Sequence, residues 1–261
     1  MMFARRQQIE IKSVDELQVM RQAGLVVART LQQVAQAVAP GVTTGELNEV
    51  AHDCLRSEGA TPSFLGYHGF PAVICTSVND EVVHGIPGAR VLRAGDLLSV
   101  DCGAIVDGWH GDAAVTVSVG TGSADASALS SVTERALWAG LGMARVGARL
   151  SDISHAIEEV IRAEGTFGIV EEYVGHGIGS SMHMSPAIPN FGSPGRGPVL
   201  KPGMALAIEP MVTMGSADVG VLSDGWTVVT EDHRWAAHWE HTVAVTDEGP
   251  WVLTALEDIR L

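Results

Sequence analysis

The sequence predicts an α+β fold made of two equivalent halves, each with two helices followed by antiparallel strands. One phrase occurs twice, as VLRAGDLLSVD at Val91–Asp101 and as VLKPGMALAIE at Val199–Glu209, 108 residues later. Each copy ends on a carboxylate in an apolar, strand-like run. Two further pairs of segments match in the same order, namely Gly41–Gly59 with Gly147–Gly165 and the run after Asp112 with that after Glu240. Three ordered matches favour a diverged duplication, and the period is too long for a solenoid.

Two helices are predicted in the first half. Residues 13–16, SVDE, have the form of a capping box. Apolar residues then recur at helical spacing until Pro40 and Gly41 stop the helix. Residues 43–46, TTGE, open a second helix, which we expect to end near Gly59.

The strands of the first half follow a Gly- and Pro-rich stretch. Runs of β-type residues occupy 72–78, 97–105 and 113–119. Asp107 and Gly108 are typical of a hairpin turn. If they form it, Asp112 lies opposite Gly103, on the same face as Asp101 and one diagonal step away.

The second half repeats this order of elements. We expect helices near 125–145 and 151–164, followed by strands near 168–174, 204–213, 218–230 and 239–246. The Gly- and Pro-rich run 190–198 is predicted to be a surface loop, because strand patterns continue on both sides of it. We therefore expect a single domain over residues 1–261, with internal halves at about 13–120 and 121–261.

Composition excludes several functional classes. The chain has 16 Lys and Arg against 31 Asp and Glu, a net charge of −15, which argues against nucleic-acid or anionic-membrane binding. Its three cysteines lack metal-type spacing and suit a reducing compartment. The N-terminal segment lacks the apolar core of a signal peptide, and no apolar run is long enough to span a bilayer. We expect a cytoplasmic protein without membrane or nucleic-acid partners.

Four carboxylates lie within apolar strand-like runs: Asp101, Asp112, Glu209 and Glu240. Uncompensated charges there would be costly or force protonation, and a bound cation removes that difficulty. His176 is a fifth candidate, because its flanking glycines give the imidazole room to approach a cation. This set is too rich in oxygen for a structural zinc site and favours a pair of divalent ions bridged by shared carboxylates. Such ions lower the pKa of a bridging water and polarise a carbonyl, which indicates a hydrolase.

Two simpler interpretations stay open for the individual residues. Asp101 and Asp112 can be solvated hairpin acids, although their apolar neighbours weigh against this. His176 on its own can be a histidine of the core or of a turn. The four matched acids together favour the metal interpretation.

The order and spacing of these residues match a known pattern. It consists of VVHGIP with His84, Asp101, DGWHGD with Asp112, GHGIG with His176, His183 seven residues later, IEP with Glu209 and WEHT with Glu240. The chain resembles the type I methionine aminopeptidases, in a compact bacterial form, over nearly its whole length. This resemblance implies the pita-bread (creatinase/aminopeptidase-like) fold, in which two pseudosymmetric halves surround a central metal site. It also implies a methionyl aminopeptidase that removes the initiator methionine from nascent proteins whose second residue is small.

The resemblance implies two divalent metal ions per chain, drawn from Co, Mn, Fe or Zn. Asp112 and Glu240 would bridge the two ions, and Asp101 would bind one of them. His176 and Glu209 would complete the coordination of the other.

Roles in catalysis and substrate binding are also implied. Glu209 would shuttle protons, His183 would stabilise the developing oxyanion, and His84 would contact the scissile amide or the leaving amine. Besides these histidines, the residues expected to line the pocket for the methionine side chain are Tyr67, Phe70, Cys75, Met182 and Trp226. Aromatic and sulfur-bearing side chains suit a thioether, although in general such residues more often fill a core.

Three features depart from the family pattern. Met184 and Ser185 stand where an acidic pair is common, Met182 where Phe is common, and His238 where Gln is common. None of them removes a predicted metal ligand, so we expect effects on pocket shape and not on activity.

Two alternative functions remain at this level. The first is an X-Pro peptidase of the same fold, although such enzymes usually carry an added N-terminal domain. The second is a non-catalytic pita-bread binding protein, although such proteins typically lose metal ligands. The resemblance favours a monomer that acts on peptides with an N-terminal methionine.

Overall fold

The computed structural model of the protein describes residues 9–261. The sequence analysis expects no signal peptide in the N-terminal segment. Residues 1–8 of that segment lie outside the described residues. The helices are α1 (Val14–Ala37), α2 (Thr44–Ser57), α3 (Ala124–Gly142) and α4 (Leu150–Ala163). Within the described range, no helix combines the length and apolar character needed to cross a membrane.

The two helices of the first half begin as the sequence predicts. Ser13 and Glu16 form a complete capping box at α1, and Thr43 and Glu46 form the same arrangement at α2. These reciprocal hydrogen bonds satisfy backbone donors that a helix start leaves unpaired. The helix starts are therefore fixed by hydrogen bonds between residues close in sequence.

The strands of the first half are β1 (Thr61–Pro62), β2 (Ile74–Val78), β3 (Glu81–Val83), β4 (Leu97–Val106) and β5 (Trp109–Ser118). Those of the second half are β6 (Gly168–Ile169), β7 (Gly175–Gly177), β8 (Met184–Ile188), β9 (Ala205–Ile208), β10 (Met211–Thr213), β11 (Val219–Val221), β12 (Val228–Thr230), β13 (Ala236–His238), β14 (Glu240–Thr246), β15 (Gly249–Val252) and β16 (Ile259–Arg260). The α+β class is confirmed.

One large sheet joins the two halves. Among the described residues it has ten strands, with the central order β1-β4-β5-β14-β9-β7-β8. The junction is the antiparallel pair β5 and β14, where Glu240 lies opposite Ala114. Two hydrogen bonds between a side chain and the backbone strengthen this junction: Thr242 Oγ1 donates to the Asp112 carbonyl and accepts from the Asp112 amide. The carboxylate-bearing strands of the two halves are therefore neighbours.

Equivalent contacts in the two halves support the duplication. An isolated antiparallel bridge joins Thr43 to Val91 in the first half, and its counterpart joins Arg149 to Val199 in the second. Each bridge connects the start of a half's second helix to the start of the repeated phrase. Helices α1 and α2 cover one buried cluster with β4, whereas α3 and α4 cover another with β9 and β14.

Three predicted strands are interrupted in the structure. The run predicted at 204–213 divides into β9 and β10, because Pro210 has no amide hydrogen to donate to a ladder. The run at 218–230 is a hairpin of β11 and β12, and the run at 168–174 retains only β6 before β7 begins. The loop predicted at 190–198 contains no helix or strand.

Candidate active site

The β4–β5 hairpin places two carboxylates side by side. Asp107 and Gly108 form the turn, Gly103 pairs with Asp112, and Asp101 pairs with Ala114, so the predicted register is confirmed. Asp101 and Asp112 therefore project from the same face of the sheet. In each, one carboxylate oxygen is buried and has no hydrogen-bond partner.

The second half contributes two more carboxylates. Glu209 lies between β9 and β10, where Pro210 ends one ladder and the chain passes to a different sheet. The Asn190 amide donates to the Glu209 carbonyl at 3.1 Å and holds this bend. Glu240 begins β14 directly beside β5, and one of its oxygens is also buried without a partner.

His176 approaches this cluster from β7. Its Nε2 lies 3.4 Å from Glu209 Oε1. Its Nδ1 lies 3.0 Å from the Gly177 carbonyl, and because a carbonyl only accepts, Nδ1 carries the hydrogen. The Nε2 lone pair is then directed at the carboxylates, the arrangement that a metal-binding histidine requires.

The glycines around His176 serve strand packing. A Cβ at Gly175 would lie 2.5 Å from the Ala207 carbonyl oxygen, and one at Gly177 would lie 2.3 Å from that of Ser185. Both distances are shorter than any normal contact. The two glycines therefore allow β7 to approach its neighbours closely, a role that the sequence analysis did not predict.

Burial makes this cluster of acids electrostatically unfavourable. It raises the pKa of Asp101 to about 7. Burial, and then the neighbouring carboxylates, raise the pKa values of Asp112, Glu209 and Glu240 well above the usual range. Ionised together, the four acids would repel one another in a site where burial weakens the screening of charge.

The donor set fits divalent cations. One ligand atom from each of Asp112, His176 and Glu240 falls within 4.8 Å of the others, and the same holds for Glu209, His238 and Glu240. The unpaired oxygens of Asp101, Asp112 and Glu240 supply acceptor positions that nothing in the described chain satisfies. Cations would neutralise the carboxylates and satisfy these oxygens at once.

A cavity of about 170 Å³ opens onto the carboxylates. Every predicted site residue lines it: Tyr67, Phe70, Cys75, His84, Asp101, Asp112, His176, Met182, His183, Glu209, Trp226 and Glu240. Phe64, which the sequence analysis did not include, lines it as well. Phe64 packs edge-on against Phe70, with ring centroids 6.5 Å apart. Its position two residues before GYHGF, the segment that contains Tyr67 and Phe70, was the available signal for it.

The apolar end of the cavity is built from aromatic contacts. Phe70 and Trp226 meet edge to face at 5.1 Å between ring centroids. Phe70, Cys75 and Met182 are each at most 4% exposed and belong to one buried cluster. This end can accept an unbranched apolar side chain, while the other end carries the acids.

Two further histidines, His84 and His183, line the cavity. Burial lowers the pKa of His84 to about 4 and lowers the pKa of His183, so both are neutral at pH 7. The backbone of His84 has φ of 60°, a left-handed conformation that costs a residue other than glycine roughly 1–3 kcal/mol. His183 Nδ1 lies 3.0 Å from Tyr67 Oη. Neutral imidazoles can donate hydrogen bonds to a substrate in this space.

His238 lies at the same cluster and had no assigned role in the sequence analysis. Its side chain is 2% exposed, and its Nε2 lies 3.6 Å from Glu209 Oε2 and 3.9 Å from Glu240 Oε2. Its position two residues before Glu240, where the family pattern has Gln, was the only signal in the sequence.

Comparisons with known proteins match this geometry. The model of metallopeptidase family M24 matches residues 18–247. Methionine aminopeptidase 1 of Mycobacterium tuberculosis is 55% identical over 95% of this chain and 96% of its own length. Methionine aminopeptidase 1 of Bacillus subtilis is 51% identical over 93% of this chain and 98% of its own length.

Solved structures agree. The crystal structure of methionine aminopeptidase from Thermotoga maritima has a TM-score of 0.93 and 42% identity, and covers 95% of this chain and 100% of its own. A prolidase from Pyrococcus furiosus, at 20% identity and a TM-score of 0.74 over 66% of its length, shares the fold. The chain therefore has the pita-bread fold of metallopeptidase family M24, and within that family it belongs to the type I methionine aminopeptidases.

Proposed function

We propose that the protein hydrolyses the first peptide bond of chains that begin with methionine, in a metal-dependent reaction. One observation carries this proposal: an apolar cavity of about 170 Å³ ends at four carboxylates, three of which have a buried oxygen without a hydrogen-bond partner. The apolar end suits a thioether side chain. The acidic end suits both the cations and the positively charged N-terminal amine of a peptide.

Five residues would hold two divalent ions. These residues are Asp101, Asp112, His176, Glu209 and Glu240. When bound, such ions lower the pKa of a water molecule and polarise a carbonyl group. Because one oxygen-rich set accepts several metals, Co, Mn, Fe and Zn are all candidates.

The remaining chemistry belongs to the side chains. Glu209 would take the proton of the attacking water and pass it to the leaving amine, since its pKa is raised by burial and by Asp101 and Asp112. His183 would donate a hydrogen bond to the carbonyl oxygen as negative charge develops there. His84 would hold the scissile amide at the opposite side of the cavity.

Substrate choice would follow from the shape of the cavity. Phe70, Cys75, Met182 and Trp226 would enclose the methionine side chain and exclude water from it, and Tyr67 would close the rim through its contact with His183. The second residue of the peptide would lie beside His84 and His183, where room for a small side chain is expected. Nascent chains in the cytoplasm are the proposed substrates, and the protein is proposed to act as a monomeric, single catalytic domain.

Reconstitution of the metal-free protein tests the proposal. Methionine release from Met-Ala-Ser is measured with Mn, Fe, Co and Zn separately, beside Asp112→Asn and an X-Pro dipeptide. Metal-dependent release that Asp112→Asn abolishes is the expected result. Cleavage of the X-Pro dipeptide alone would favour a proline-directed peptidase, and inactivity in every reaction would favour a binding protein.

A further inference from the structure

His238 is a buried histidine that the proposed mechanism does not use. It ends β13, its side chain is 2% exposed, and its Nε2 has no hydrogen-bond partner among the described residues. Buried polar atoms in folded proteins are nearly always paired, so an unpaired ring nitrogen indicates a ligand or a solvent molecule at that point.

Two carboxylates flank this nitrogen. Glu209 Oε2 lies at 3.6 Å and Glu240 Oε2 at 3.9 Å, both too far for a hydrogen bond. Atoms that share one cation with bonds of roughly 2.1 Å can lie up to about 4.2 Å apart. The two separations therefore fit three atoms that surround a common ion better than they fit a hydrogen-bonded group.

The surrounding backbone fixes the imidazole in this position. The His238 amide is held by Ser99 Oγ at 3.2 Å and Thr116 Oγ1 at 3.1 Å, and these hydroxyls lie 2.8 Å from each other. On its other side, His238 pairs with Met211, two residues after Glu209. Because the hydroxyl pair and the strand restrain the residue from two sides, its ring is preorganised to face the carboxylates.

We propose that His238 Nε2 is an additional ligand of the cation held by Glu209 and Glu240, and that it shifts this position toward metals that favour nitrogen. The proposal rests on the proposed function only in requiring that a metal binds here. Imidazole suits Zn and other borderline metals, whereas carboxylate and water suit Mn. His176 Nε2 lies 3.4 Å from Glu209 Oε1, so the cation held by Glu209 would have two imidazole ligands, His176 and His238, and not one.

Metal titration of matched variants provides the test. Calorimetric titrations of the metal-free protein with Zn and with Mn, and the visible absorption spectrum with Co, are recorded for the wild type, for His238→Gln and for His241→Gln. Gln keeps a neutral polar side chain of similar reach. His241 is the control, because it is next to Glu240 on β14 but its Nδ1 contacts Thr254 Oγ1 at 2.8 Å, away from the acids.

The expected result is selective. His238→Gln should weaken the binding of one Zn ion by about 10-fold or more and leave Mn affinity within about threefold. It should also change the Co absorption bands, while His241→Gln changes neither property. Thermal unfolding of both metal-free variants checks that each is folded.

Several outcomes would overturn the inference. Unchanged Zn affinity and an unchanged Co spectrum in His238→Gln would do so, as would equal weakening of Zn and Mn, or the same losses in His241→Gln. Methionine release by the wild type separates this failure from that of the proposed function. If the wild type releases methionine and the variant keeps its metal profile, only the role of His238 is wrong; if the wild type binds no ion, both proposals fail.

Discussion

Tyr67 Oη lies 3.0 Å from His183 Nδ1, although the two residues are 116 positions apart. Burial raises the pKa of Tyr67, so the phenol is protonated at neutral pH and can donate to this nitrogen. Nε2 of His183 then carries the hydrogen and can donate it to a substrate oxygen. When the phenol donates in this way, Tyr67 orients the proposed oxyanion donor and leaves its Nε2 hydrogen free for the substrate.

Tyr67→Phe removes this hydrogen bond and keeps the ring. We expect kcat for Met-Ala-Ser to fall about 2- to 10-fold, since one such bond contributes about 0.5–1.5 kcal/mol, while KM changes little. Steady-state kinetics of the metal-loaded enzyme measure both constants. A change in KM alone would mean that Tyr67 acts only as part of the cavity wall.

The carboxylate cluster should make the metal-free protein sensitive to alkaline pH. A buried acid whose pKa is raised in the folded state binds its proton more tightly there than in the unfolded chain, so stability falls as the pH rises toward the folded-state pKa. Asp101, with a pKa of about 7, and Asp112, Glu209 and Glu240, whose pKa values are raised well above the usual range, all act in this direction. His176 and His238, with pKa values of about 3, act in the opposite direction, but only below the ordinary histidine value of 6.5.

In the interval above pH 6.5 the carboxylates therefore dominate, and each acid contributes a loss of up to about 1.4 kcal/mol per pH unit until its folded-state pKa is passed, which for Asp101 is about 7. Denaturant unfolding of the metal-free protein across this interval measures the slope. Asp101→Asn should reduce it, and saturating Mn should remove it. A pH-independent stability in the metal-free wild type would contradict the electrostatic account of the site.

Cys75 should resist alkylation in the folded protein. It lines the cavity, but burial, and then the nearby Asp101 and Asp112, raise the pKa of its thiol well above the usual value. Because the thiolate is the nucleophile, iodoacetamide at pH 7.5 should label it slowly. Mass spectrometry of native and denatured samples gives the comparison, and rapid labelling of native Cys75 would show that the acids are neutralised or the thiol is exposed.

Gly177→Ala should destabilise the protein. The new Cβ would lie 2.3 Å from the Ser185 carbonyl oxygen, so β7 and β8 must separate, at a cost of about 1–3 kcal/mol. Gly220→Ala is the matched control, because its Cβ would meet nothing within 4 Å. Thermal unfolding distinguishes the two, and equal melting temperatures for both variants would refute the packing role of Gly177.

Much of the architecture follows from local sequence. The capping residues Ser13 and Thr43 fix two helix starts, and Asp107 with Gly108 sets the hairpin register that aligns Asp101 with Asp112. These features depend on hydrogen bonds and turn geometry within a few residues, so a sequence pattern can reveal them. Interruptions within a strand are harder to predict from sequence. The division at Glu209 and Pro210, for example, depends on which sheet each side of the bend joins.

The sequence by itself determined the α+β class, the duplicated halves and the identities of the four acids and His176, because periodicity and repetition are properties of order along the chain. Only the tertiary structure decided that these acids meet with unpaired oxygens, that Phe64 lines the cavity and that His238 faces Glu209 and Glu240. Contacts of this kind join segments that are distant in sequence, and their distances and burial arise only when the two halves pack along β5 and β14.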